Sequence, residues 1–216
     1  MPVARGARTV GLRERKKQRT RATLIDAAVK LCNDQGFENT TVDQIAAIAD
    51  VSPRTFSRYF PTKEAIVLAL VDEILDRTAV ELARQPDNMN HYEALVRANI
   101  AMAEAAKRAG PDELTAERVL CITRIIVSSS ILRHASVEFR GNAIERALAA
   151  RLGVDLHDRK VKLTAAVWGA VIMTALGSVA HDDSDWAHVS IDDLIDRLKA
   201  VFGEFAHLIG SLHQPV

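Results

Sequence analysis

The sequence predicts an all-α chain: an N-terminal three-helix helix-turn-helix domain, then a larger C-terminal helical domain. Three observations carry that prediction. Apolar residues recur at helical spacing along most of the chain. Capping residues and Gly or Pro breaks punctuate the pattern. No strand pattern, internal repeat or low-complexity segment interrupts it. The expected boundary places a basic arm and helix-turn-helix at 1–62 and the effector and dimerisation domain at 63–216.

Residues 1 to about 11 form a basic arm, either a solvated tail or a minor-groove arm. A first helix is expected from near Leu12 to Asp34, with Leu24, Ala27, Ala28, Leu31 and Cys32 as its core stripe and Gly36 ending it. Thr41 and Gln44 make a capping box for a short second helix whose apolar face is Val42, Ile45, Ala46 and Ala49. Asp50 stands where the turn needs a left-handed residue. Ser52 caps a third helix with Pro53 at its first position, where a missing N–H costs nothing. Phe56 and Phe60 point inward, and Arg54, Thr55, Ser57, Arg58 and Tyr59 face out. Thr62 caps a fourth helix, Lys63 to about Arg84.

Further helices are expected from about Asn90 to Arg108, Glu113 to Ser128, Ile131 to Leu152, His157 to His181 and Ile191 to His213. The Ser128–Ser130 run leaves it open whether the second and third of these are separate.

Two short helices at a steep angle across a tight turn make a helix-turn-helix, and the polar second helix carries side chains that bond phosphates and base edges. A surface hairpin with solvated charges is the competing reading. Lys63 adds a clue, because a cation in a helix's first turn opposes the macrodipole unless an anion binds there. Arg19 and Arg21, on the first turns of the first helix, lie within reach of a DNA backbone. The candidate DNA-contact set is Arg19, Arg21, Thr41, Ser52, Arg54, Thr55, Ser57, Arg58, Tyr59, Thr62 and Lys63.

Thr41-Val42-x-x-Ile45-Ala46, Ala49-x-Val51-Ser52, Thr55-Phe56, Tyr59-Phe60 and Lys63-Glu64-Ala65 together resemble the DNA-binding domain of the TetR (tetracycline repressor) family of transcriptional regulators. Asp50 replaces the usual Gly, and Ser57 stands where a Tyr is common. The resemblance is specific over roughly residues 13–70 and architectural beyond. It implies a repressor released from a double-stranded DNA operator when a small-molecule effector binds the C-terminal domain.

Net charge is zero, with 28 basic and 28 acidic residues, but the distribution is uneven. Arg5, Arg8, Arg13, Arg15, Lys16, Lys17, Arg19 and Arg21 face only Glu14 in the first 21 residues, so the remainder is net acidic. That asymmetry suits a basic DNA-binding end on an acidic body. Cys32 and Cys121 lack metal-type spacing and are expected as buried thiols in a reducing cytoplasm. The basic start has no apolar run of the signal-peptide kind. Leu163 to Ala180 is uncharged, but its Ala, Gly, Thr and Ser content favours a buried helix over a membrane span, and no membrane association is expected.

Ile191, Leu194, Ile195, Leu198, Val201, Phe202, Phe205, Leu208 and Ile209 form one apolar stripe, and Ala166 with Ala170, or Ala165 with Gly169, permits close helix approach. The two last helices of two copies would close a four-helix bundle; packing within one protomer is the alternative. The candidate homodimer face is Ala166, Gly169, Ala170, Leu198, Phe202, Phe205 and Ile209. Asn99, Met102, Cys121, Arg124, His134, Trp168 and Met173 are polar, soft or aromatic residues within apolar helices, as a chamber between helices requires, although each alone also fits core or surface.

His181, Asp182, Asp183, Asp185 and His188 share a loop without fixed ligand spacing, and no metal or cofactor is expected. Ser128–Ser130 with His134 lack a G-x-S-x-G turn and a partner acid, so no catalytic residue is assigned. A DNA-acting enzyme with a helix-turn-helix appendage would need such a set. A DNA-binding structural protein without effector would need a collapsed C-terminal core.

Overall fold

The computed structural model describes residues 11–110, 113–129, 132, 142–181 and 188–211. Among these the chain is helical, with α1 Leu12–Gln35, α2 Val42–Ile48, α3 Pro53–Tyr59, α4 Lys63–Ala83, α5 His91–Arg108, α6 Ala116–Ser128, α7 Asn142–Leu152, α8 Arg159–His181 and α9 Ile191–Ser211. It divides into two compact units, Met1–Ile66 and Val67–Val216. The division falls inside α4, a few residues beyond the Thr62–Lys63 boundary expected from the sequence.

The first unit follows its capping chemistry. Thr41 Oγ1 accepts from the Gln44 backbone N–H at 3.3 Å, and Gln44 Oε1 accepts from Thr41 N–H at 2.9 Å, so both halves of the capping box close. Asp50 has φ +52°, a left-handed residue between α2 and α3. Ser52 Oγ accepts from Thr55 N–H at 3.1 Å, with Pro53 opening α3. Phe56 and Phe60 are buried and stack at 6.1 Å between centroids. With Leu24, Ile25, Ala28, Ile45 and Ala46 they supply the core on which α1, α2 and α3 meet.

The loop between α1 and α2 is held by one cation together with bonds of its own, among them Gln35 Nε2 to Asn39 O at 2.7 Å and Asn39 Nδ2 to Gln35 O at 2.8 Å. Gly36, at φ +82°, turns the chain out of α1. Thr40, 1 % exposed, donates its hydroxyl to Gly36 O at 2.9 Å. Lys63 Nζ then donates to Phe37 O at 2.9 Å, Thr40 O at 3.0 Å and Glu38 O at 3.4 Å, and lies 4.5 Å from the Phe37 ring centroid. These carbonyls have no helical partner of their own, and the cation satisfies them. Protein oxygens thus answer the conflict between Lys63 and the α4 macrodipole that the sequence expectation gave to a phosphate.

In the second unit α5, α6, α7 and α9 pack on or around α8. α8 is long and apolar enough to cross a membrane by length and composition alone. Val161, Ala165, Trp168, Val171 and Ala175 nevertheless make a buried stripe joined to Leu95, Leu148 and Leu198, as a core helix requires. Arg151 plays a part like that of Lys63. Its guanidinium donates to Gln85 O at 3.1 Å, to Pro86 O and to Met89 O at 2.9 Å, closing the break between α4 and α5. Ser190 and Asp193 cap α9 reciprocally, at 2.8 and 3.2 Å, and the Ser190 hydroxyl and N–H hold the Asp193 carboxyl below its usual range.

α6 begins at Ala116 rather than Glu113, because Thr115 is its N-cap and the buried Arg118 ties down Glu113 O at 2.6 Å. α8 begins at Arg159 rather than His157, after a turn in which Asp155 and Asp158 accept from the backbone. The expected helix start at Ile131, and the loop from Asp182 to Ala187, lie outside the described residues. Cys32 and Cys121 are buried and form no disulfide.

Two stability predictions follow from the first unit. Lys63→Met removes the ammonium from the loop carbonyls and should lower unfolding free energy by about 1–3 kcal/mol in urea titration; an unchanged midpoint would contradict the cation's role. Asp50→Ala should cost about 1 kcal/mol through its left-handed backbone, while Asp50→Gly should not. Equal melting temperatures for the two variants would count against that strain.

Candidate functional site

The first candidate surface is the outer face of α3. Arg54, Ser57 and Arg58 are exposed, while Thr55 and Tyr59 are half-buried beside them. The guanidinium of Arg58 lies 5.3 Å from the Tyr59 ring centroid, so the ring steadies the cation without taking it out of solvent. Ser57 donates to Pro53 O at 3.1 Å, which leaves its lone pairs outward. Arg21, on α1, is 5.2 Å from the ring centroid of Phe60 and brings a second cation to the end of α3. Arg19 is exposed two residues before it.

The remaining candidates on this surface have structural engagements. Thr41, Ser52 and Thr62 spend their hydroxyls as caps, the last by accepting from Ala65 N–H at 3.3 Å, yet all three stay exposed. Lys63 differs: its ammonium is committed to three carbonyls of its own unit. The face carries two ready cations on one short helix, a geometry matched to phosphate and base-edge contacts.

The second candidate site is a cavity of about 190 Å³ within the second unit. Val71, Ile74, Leu75 and Thr78 line it from α4; Asn99, Met102 and Ala103 from α5; and Val119, Ile122, Thr123 and Ile126 from α6. Ile144 and Glu145 come from α7, while α8 adds Ala165, Trp168, Gly169, Ile172, Met173, Ala175 and Leu176. α9 closes it with Leu194, Ile195 and Leu198. Its wall is almost wholly apolar. Among its described lining residues Glu145 alone is ionisable, and Lys162 Nζ lies 2.6 Å from its carboxylate.

Of the expected chamber residues, Asn99, Met102, Trp168 and Met173 line the cavity. Cys121 and Arg124 do not: α6 turns Val119, Ile122, Thr123 and Ile126 toward it. His134 lies outside the described residues. Sequence reasoning passed over the α4 wall, including Thr78, a polar residue on an otherwise apolar face that was the available signal.

The expected dimer face also divides. Gly169 and Leu198 line the cavity, and Leu198 is buried, because the apolar stripe of α9 turns inward over its first half. Ala166 and Ala170 are exposed on α8, near Leu163, which is 61 % exposed. Phe202 and Phe205 are half-buried, with Phe205 stacked on Tyr92 at 5.2 Å, and Leu208 is 65 % exposed beside half-buried Ile209. The outer faces of α8 and late α9 therefore present an apolar patch of small and large residues.

Known proteins give this geometry a context. Residues 24–70 match the family described as "Bacterial regulatory proteins, tetR family". The HTH-type transcriptional regulator TcmR of Streptomyces glaucescens is 32% identical over 199 residues, spanning 88% of this chain and 87% of that protein. Among solved structures, the transcriptional repressor FadR of Thermus thermophilus in complex with lauroyl-CoA matches with a TM-score of 0.52 and 21% identity, covering 84% of this chain and 93% of that one. SmeT, the repressor of the Stenotrophomonas maltophilia multidrug efflux pump SmeDEF, matches with a TM-score of 0.52 and 20% identity, covering 85% and 89%. The structural likenesses show the fold; the full-length relative and the matched α1–α4 segment show the lineage. The chain is a DNA-binding transcriptional regulator and belongs to the tetR family of bacterial regulatory proteins.

Proposed function

We propose that this protein is a cytoplasmic homodimeric repressor that leaves its operator when a small molecule fills the cavity of its second unit. The observation that carries the reading is the cavity itself, an apolar chamber kept open between six helices. Close packing is the norm in protein interiors, and a void of this size forfeits stability unless something occupies it. The repressor FadR of Thermus thermophilus, of the same fold, was solved with lauroyl-CoA, which supports a ligand role for such a chamber.

DNA contact is assigned to Arg54, Thr55, Ser57, Arg58 and Tyr59 on α3, with Arg19 and Arg21 on the flanking backbone. Arg54→Ala and Arg58→Ala should each weaken operator binding without unfolding the protein. Each lost phosphate contact should flatten the dependence of log K on log salt by about one unit per site. Unchanged affinity at two salt concentrations would remove these residues from the interface.

Dimerisation is assigned to the outer faces of α8 and late α9. Ala166 and Ala170 permit close helix approach, and Leu163 and Leu208 add exposed apolar surface to the same faces. Ala170→Arg should give monomers by light scattering while helicity is retained. A dimer unchanged by that substitution would move the interface elsewhere.

Release is assigned to α4, whose wall residues Val71, Ile74, Leu75 and Thr78 share one helix with Lys63. A stiff helix of about 30 Å carries a tilt from one end to the other, and a dimer must hold its recognition helices about 34–36 Å apart. Ala103→Phe, which fills the chamber from α5, should lower operator affinity while the dimer stays intact. A gel shift paired with sedimentation tests this; full affinity with a filled chamber would refute induction and leave the DNA assignment standing.

A further inference from the structure

Among the described residues of the chamber wall, one polar group has no hydrogen-bond partner. Thr78 is 1 % exposed, and its Oγ1 has no hydrogen-bond partner. A helical threonine has an easy remedy for this, donation to the carbonyl four residues back. Four other helical threonines take it: Thr20 to Lys16 O, Thr23 to Arg19 O, Thr123 to Val119 O and Thr174 to Ala170 O, all at 2.9–3.0 Å. Thr78 does not, although it lines the cavity from the C-terminal half of α4. A buried hydroxyl left without an acceptor is a standing cost, and valine would fill the same space without it.

The other lining groups narrow what the hydroxyl can meet. Thr123 has already spent its proton on Val119 O. Asn99 donates one Nδ2–H to Leu95 O at 2.9 Å, which leaves a second N–H and its carbonyl oxygen. No lysine, arginine or histidine is among the described lining residues, and the Glu145 carboxylate is already paired with Lys162. Among the described lining residues an anion would find no counter-charge, which the apolar wall makes expensive, and an organic cation would compete with Lys162 for Glu145. The volume, about 190 Å³, is in the range of apolar cavities that take one aromatic ring with small substituents.

We propose that the chamber takes an uncharged, largely apolar molecule carrying an acceptor oxygen of the ketone type, and that Thr78 Oγ1 donates the hydrogen bond that orients it. The inference rests on the reading of the cavity as the effector site and adds its ligand chemistry. Thr78 is also the polar wall residue on α4, so the bond is made to the helix assigned to release.

The test uses the purified full chain and three probes of similar size: acetophenone, ethylbenzene and benzoate. Titration calorimetry should give saturable binding of acetophenone, weaker binding of ethylbenzene and none of benzoate. Thr78→Val should lower acetophenone affinity about 5–10-fold, leave ethylbenzene at least as tight, and raise the melting temperature of the free protein. Thr78→Ser, which restores the hydroxyl, should restore the preference for the ketone. Benzoate binding above acetophenone, acetophenone affinity unchanged in Thr78→Val, or binding of none of the three would overturn the proposal. A ketone that follows the expected order yet leaves operator affinity untouched upholds the ligand chemistry and refutes the effector role instead.

Discussion

The ammonium of Lys63 is the interaction on which the DNA-binding unit depends. Its three carbonyl acceptors come from the turn between α1 and α2, a stretch whose backbone no helix satisfies. Without the ammonium, Glu38 O and Thr40 O would have to reach water, while Phe37 O would keep the Thr40 N–H at 3.1 Å. Thr40 and Phe37 complete the arrangement, one by donating to Gly36 O, the other by lying against the ammonium. α2 is thereby fixed relative to the start of α4, and α3, only seven residues long, inherits its position from α2 and from buried Phe56 and Phe60. A helix that short has little stability of its own. Its orientation is a product of what surrounds it, and that is what a recognition surface requires.

Two kinds of structural economy meet in the second unit. Arg151 repeats the device of Lys63, closing the α4–α5 break with one cation and several carbonyls. The core around Trp168, Leu148 and Leu95 is well filled. The chamber beside it is not, and its wall holds a hydroxyl that helix geometry offered to satisfy. Rigid corners around an under-packed centre are the expected design for a domain that must hold its shape and still accept a guest. α4 belongs to both units, with the Lys63 clasp in its first turn and the Thr78 wall farther along.

What the sequence made legible was local. The Thr41–Gln44 box, the Ser52–Pro53 start, left-handed Asp50 and inward Phe56 and Phe60 depend on neighbours within a few positions, and their residue types determine them. What it concealed was long-range. The acceptors of Lys63 lie 23 to 26 residues away, and those of Arg151 lie 62 to 66 residues away. A cation reads as a surface or phosphate-binding group until its partners are known, and the sequence places Lys63 among the DNA contacts for that reason. The chamber was half legible for a related reason. Asn99, Met102, Trp168 and Met173 stand out within their helices, but which side α6 turns inward depends on its rotation against α8, and that excluded Cys121 and Arg124. On α9 one unbroken apolar stripe serves two purposes, with Leu198 inside and Leu208 outside, a change that periodicity does not mark.

The central claim is that the chamber and the DNA surface are two sites of one equilibrium. Linkage gives it a strict form: a ligand that lowers operator affinity by some factor must itself bind the operator complex more weakly by the same factor. The direct measurement is a pair of titrations on the purified protein with its footprinted operator and an effector drawn from the chemistry of the flanking genes. Fluorescence anisotropy gives operator affinity against ligand concentration, and calorimetry gives ligand affinity with and without operator. The account predicts two equal factors, both well above one. Operator affinity that stays constant at saturating ligand, or ligand affinity indifferent to bound operator, would contradict it.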